Sequence, residues 1–108
     1  MIKVDIFRKN NSIVKFEMNG HAEFSDENDI VCASASSVAF AVLNGIENVV
    51  NVKIGYETGD GYLFFILPDD INKEEQDKVN ILTESFFLFI KELELQYPAF
   101  VKVTELEV

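Results

Sequence analysis

A single cysteine and a single histidine among 108 residues leave nothing with which to build a disulfide scaffold, so stability has to come from a hydrophobic core. A chain of this length buries roughly 60–70% of the surface its unfolded form exposes, enough for one core and hence for one domain. That domain is expected to span residues 1–108. Basic residues are also scarce, nine against nineteen acidic ones, and the net charge of -10 removes the counterion release that drives binding to nucleic acid. A basic partner would be attracted by the same field. Long apolar runs are missing too: Tyr62 to Leu67 and Ser85 to Ile90 fall far below the about 18–20 residues that a bilayer crossing needs, and no membrane partner is expected. The opening MIKVDIF lacks a basic segment followed by an apolar one, which together with the absence of cysteine pairs predicts a cytoplasmic protein. No internal repeat, linker or low-complexity tract interrupts the chain.

What is present is periodic. Ile2, Val4 and Ile6 alternate with polar residues, Asn10-Asn11 suits a turn, and Val14, Phe16 and Met18 alternate again, which predicts an opening β-hairpin. Glu23 to Asn28 is polar and aperiodic and reads as an exposed loop. Asp29 resembles a helix N-cap, and Val31, Ala35, Val38, Val42, Ile46 and Val49 carry helical spacing over Ile30 to about Val49. Val52, Ile54 and Tyr56 predict a strand, Asp60-Gly61 a tight turn, and Tyr62 to Leu67 a returning strand, apolar on both sides and therefore central or covered by another subunit. After Pro68, Asp69 and Asp70 are expected to open a second helix, with Val79, Leu82, Phe86, Phe89 and Leu93 on its inner face and Pro98 at its end. Phe100 to Val108 reads as a last, edge strand. The order ββαββαβ predicts an α/β fold, a two-layer α/β sandwich with two helices on a mixed sheet, and the doubly apolar strand predicts a homodimer.

The histidine and the cysteine lie eleven positions apart, His21 at a strand end and Cys32 in the first turn of a helix. With Asp29 as N-cap, Cys32 is the third helical residue, where the partial positive charge of the helix start favours thiolate and so an activated nucleophile. A loop of this length can return His21 to the thiol, as base toward sulfur and as acid toward a leaving amine. A single cysteine on an apolar helix also serves as plain core, and the residues alone leave both roles open. A structural zinc site would need two carboxylates from the Glu23 to Asp29 loop, a rare set, and no metal or cofactor is expected. Asp29 is open between capping the helix, which would raise a nearby thiol pKa, and orienting His21. Ser36, four residues beyond Cys32, shares its face, where it either bonds the site or allows close packing.

Gly20-His21-Ala22, followed by Asp29-Ile30-Val31-Cys32-Ala33 with Ser36 beyond, resembles the signature of the Prp family of ribosomal-processing cysteine proteases, as do the chain length, the acidity and the element order. Asn44-Gly45-Ile46 is similar to the segment that closes this helix in relatives. The resemblance implies an endopeptidase that removes the N-terminal extension of large-subunit ribosomal protein twenty-seven during ribosome assembly, cutting after an aromatic residue. It implies Cys32 as nucleophile and His21 as general base and acid, with Gly20, Asp29 and Ser36 at supporting positions of the motif. Glu23 to Asn28 is where the chain departs from the family, which leaves the details of specificity open. This loop is expected to close as a lid on the peptide.

A rival function from a different class is a non-catalytic dimeric module that holds a basic ribosomal or assembly protein on its acidic surface. Such a module should tolerate Cys32→Ala. A redox-sensing thiol would lack any resolving cysteine within the chain.

Overall fold

The computed structural model describes residues 1–21 and 30–108, so Asp29 and the Glu23 to Asn28 loop lie outside the described residues. Strands β1 (Ile2–Lys9) and β2 (Ser12–Asn19) form the opening hairpin. Asn10 and Asn11 turn it with φ of 51° and 69°, left-handed values that asparagine tolerates better than most side chains. Helix α1 (Ile30–Gly45) follows and leads without a break into a π-helical turn, Ile46–Val50. The expected closure at Asn44-Gly45-Ile46 does not occur, because Gly45 keeps right-handed helical angles. Asn51 ends the helix instead, at φ 65° with its N–H on the Ile46 carbonyl.

Strand β3 (Gly55–Gly59) pairs with β4 (Tyr62–Ile66) across the Asp60-Gly61 turn. It starts later than the Val52–Ile54 alternation suggested, since Val52 and Ile54 are core residues of the preceding connection. Helix α2 (Lys73–Gln96) begins three residues beyond Asp70. The Asn72 side chain accepts the Glu75 N–H at 2.8 Å while Glu75 accepts the Asn72 N–H at 3.1 Å, a reciprocal cap that neither aspartate forms. Strand β5 (Val101–Glu107) closes the fold.

The sheet order is β3-β4-β2-β1-β5, with β5 parallel to β1 and every other pair antiparallel. β4 is thus an inner strand, one of the two placements its apolar sequence allowed. Its inward Leu63 and Phe65 join Val4, Ile6, Phe16 and Met18 against Ala35, Ala39, Phe86 and Ile90 of the helices, in one buried core. Phe16 packs on Phe65 and Phe86 with ring centroids 4.8 and 4.6 Å apart. On the outer face the Lys15 ammonium lies 4.6 Å from the Phe7 ring centroid and 5.2 Å from that of Phe64, so a cation and its stem roof part of the apolar surface. At the outer edge Val103 gives its N–H to Glu94 of α2 at 2.7 Å, occupying a donor that an edge strand would otherwise present to other chains. This bond, offset in part by desolvation and helped by Lys91, holds the Glu94 carboxyl below its usual pKa.

One expectation about apolar length needs correction. Ile30–Val50, 21 residues of hydropathy 1.6, is long and apolar enough by composition to cross a bilayer. No single run in it is long, because small and polar residues are interspersed. Its buried stripe, Val31, Ala35, Ala39, Val42, Leu43 and Ile46, packs in the core, which is how a core helix of a globular domain uses such a composition.

Candidate active site

Three of the residues singled out from the sequence meet at one cavity. Gly20, Cys32 and Ser36 line a space of about 80 Å³ at the end of the sheet where β1 begins and β2 ends, together with Ile2, Met18 and Phe40. Thr58, Gly59, Gly61, Tyr62 and Leu63 of the β3–β4 hairpin form the rest of its wall. The α1 contribution is one helix face, because Cys32, Ser36 and Phe40 recur every four residues. Cys32 is the third residue of α1, half-buried, in the turn whose backbone N–H groups carry the positive end of the helix dipole. Ser36 therefore does share the cysteine's cavity.

The backbone at Gly20 has φ 95°, and a Cβ there would collide with the Met1 carbonyl oxygen. No other residue fits this bend without strain. The Gly20 N–H extends the β2–β4 ladder to the Gly61 carbonyl at 2.8 Å, and the next carbonyl, that of His21, accepts the Met1 amino group at 2.6 Å. These contacts fix the peptide that carries the histidine. The half-exposed His21 side chain then lies against Gly61, where a Cβ would stand 2.8 Å from Nε2. Nε2 is 3.5 Å from Asp60 Oδ1.

Asp29, the fifth residue of the sequence-based set, lies outside the described residues. Asp60 was read only as part of a tight turn. Its approach to His21 depends on β4 pairing with β2, a long-range contact with no local signal. Met18 carries only a strand signal in the sequence, and Phe40, four residues beyond Ser36, carries none that points to the site. Tyr62, at the cavity wall, has its phenol pKa raised above the usual value, first by desolvation and then by the charges of Glu17 and Glu57.

A thiol in a largely apolar recess, with an imidazole on the adjoining strand end, suits nucleophilic attack on a bound acyl group, the chemistry of a thiol hydrolase. Known proteins narrow that class. The family model for cysteine protease Prp matches residues 1–102. The ribosomal processing cysteine protease Prp of Bacillus subtilis (strain 168) is 30% identical over 108 residues, 96% of each chain. That of Staphylococcus aureus (strain Mu50) is 30% identical over 101 residues, 90% of this chain and 92% of its own. Among solved structures, the S. aureus ribosomal processing protease Prp bearing a covalently linked product peptide has a TM-score of 0.85 at 26% identity, covering 97% of this chain and 99% of that one. SMU.848 from Streptococcus mutans gives 0.82 at 29% identity over 100% and 96%. The chain belongs to the Prp family and is a cysteine protease. Between an enzyme and a non-catalytic module, the family decides for the enzyme.

Proposed function

We propose that this protease trims the N-terminal extension of large-subunit ribosomal protein twenty-seven during ribosome assembly in the cytoplasm, cutting after an aromatic residue. Cys32 is its nucleophile and His21 its base and acid. The observation that carries the reading is the single cavity that joins Cys32 to an apolar wall of Ile2, Met18, Phe40 and Leu63, which suits an aromatic side chain beside the thiol. The ribosomal substrate is supported by relatives named as ribosomal processing cysteine proteases, and by the charge of -10, which attracts a basic chain.

The chemistry runs in two halves. The Cys32 sulfur, as thiolate, adds to the scissile carbonyl carbon, and the carbonyl electron pair moves to oxygen. Collapse breaks the C–N bond, and the leaving amine takes a proton from the His21 imidazolium. His21, now neutral, accepts a proton from water as the water oxygen attacks the thioester. The C–S bond breaks, the acid product departs, and thiolate and imidazolium are restored.

A homodimer is part of the same reading. Tyr62, Phe64 and Ile66 stand on the outer face of β4, and Ile66 is 41% exposed. Light scattering should return twice the chain mass, and a monomer at high concentration would refute the pairing.

Incubation with a synthetic peptide spanning the extension and its junction, read by mass spectrometry, should give one cut after an aromatic residue, with kcat/KM falling as salt rises and kcat nearly flat. An intact peptide, or cuts scattered along it, would overturn the assignment.

A further inference from the structure

We propose that Asp60, in the β3–β4 turn, is a positioning residue for the reaction: its carboxylate takes the Nε2 edge of His21 and so leaves Nδ1 to exchange the proton with Cys32. The inference rests on the roles of Cys32 and His21 given above and adds a third group to them.

Three observations carry it. The histidine is tied to the β3–β4 turn through its backbone, because Gly20, the residue before it, bonds the Gly61 carbonyl at 2.8 Å. Its ring is seated on the same turn: an added Cβ at Gly61 would stand 2.8 Å from Nε2, 3.2 Å from Cδ2 and 3.4 Å from Cε1, so the absence of a side chain makes the seat. Among the described residues, a charged side chain stands beside the seated ring: Asp60, whose Oδ1 is 3.5 Å from Nε2.

A neutral imidazole holds one proton and one lone pair, and the nitrogen that faces a carboxylate keeps the proton. Placing that proton on Nε2 assigns the lone pair to Nδ1, the nitrogen that must serve the thiol. This is the orienting role of the third member of a catalytic triad, filled from a hairpin turn. The turn is well suited to it, since two residues link strands in register from Gly59↔Tyr62 to Gly55↔Ile66. His21 and Asp60 are 51% and 98% exposed, so the pair is screened and its effect is a modest one.

The test uses the full chain with Asp60→Ala, Asp60→Asn and Asp60→Glu, which should fold because the Asp60 side chain buries almost nothing. Asp60→Ala should lower kcat by about two- to fivefold with KM unchanged, Asp60→Asn should fall less, and Asp60→Glu should restore most of the rate. Because His21 is the sole histidine, ¹⁵N spectra report its ring alone. The neutral ring should carry its proton on Nε2 in the native protein, and Asp60→Ala should admit the Nδ1–H form. An unchanged kcat in Asp60→Ala, a change confined to KM, or an unchanged tautomer would overturn the proposal. If the native protein cuts no ribosomal peptide, the substrate assignment fails by itself, and the tautomer comparison decides the role of Asp60.

Discussion

At the turn end of the first hairpin, Arg8 gives Nη1 and Nη2 to Glu84 at 2.6 and 2.9 Å and Nε to Glu105 at 2.7 Å, with its guanidinium 4.9 Å from the Phe87 ring centroid. At the other end of the same two strands, the imidazole of His21 stands 3.5 Å from the Asp60 carboxylate, near a cavity. The difference separates two duties. The Arg8 end binds strand β1, helix α2 and strand β5 through one fork of charge-assisted bonds, so it holds elements together that are far apart in sequence. The His21 end leaves its ring half-exposed and its thiol beside a recess, since a group bonded on every side has no capacity left for a substrate. Rigidity there comes from the backbone, through Gly20 and Gly61.

The comparison breaks most sharply at Cys32. Cys32→Ala should reduce peptide cleavage about 10³-fold or more while thermal unfolding barely moves, because the thiol is only half-buried and the cavity already exists. Activity lost only in proportion to folded protein would show that the site end is structural after all.

Gly61→Ala comes next. The methyl must displace the His21 ring and also accept φ 66°, so cleavage should fall on the order of 100-fold with a smaller loss of stability. Steady-state kinetics beside a melting curve would separate the two, and a stability loss without a kinetic one would contradict the seat proposed for His21.

Arg8→Met should do the reverse. It removes the fork but keeps an apolar stem over Phe87, and should cost about 2 kcal/mol in denaturant unfolding with kcat of the folded fraction unchanged. A specific fall in kcat would mean that the two ends are coupled through β1.

The smallest effect belongs to the Glu94 edge bond. A carboxyl whose pKa is lower folded than unfolded stabilises the fold above its unfolded pKa, about 4.3, and loses that contribution as pH falls from there through the folded value. Glu94→Gln should therefore be about 1 kcal/mol less stable at neutral pH and show a flatter acid limb, measured by urea unfolding across pH. An acid limb identical to that of the native protein would place the bond to Val103 outside the stability balance.

The legible parts of the fold share a property. The hairpin at Asn10-Asn11, the helix carrying Cys32 and Ser36 on one face, and the inner position of Tyr62 to Ile66 all follow from residues near one another in the chain, because strand and helix periods are local. The start of α2 was within reach by the same logic, since Asn72-x-x-Glu75 is a capping pattern three residues beyond Asp70. Asp69 and Asp70 after Pro68 carry a similar signal and mask it.

Other features had no such trace. Tail strand β5 is recognisable by alternation, yet its parallel pairing with β1 is set by the path of α2 across the sheet. The run of helix past Gly45 was legible in the spacing of Ile46 and Val49, yet the π-helical winding of that last turn was not. Sequence by itself thus determined the thiol and the imidazole that the proposed mechanism uses and the elements that bear them, since a motif and a period are properties of short segments. Only the tertiary structure decided which surfaces enclose the thiol, where Phe40, Met18 and Leu63 come together, and that Asp60 and Gly61 stand beside His21. Those neighbours are 39 and 40 positions away in the chain, and they meet because β4 pairs with β2, a choice governed by burial of the whole sheet rather than by any local preference.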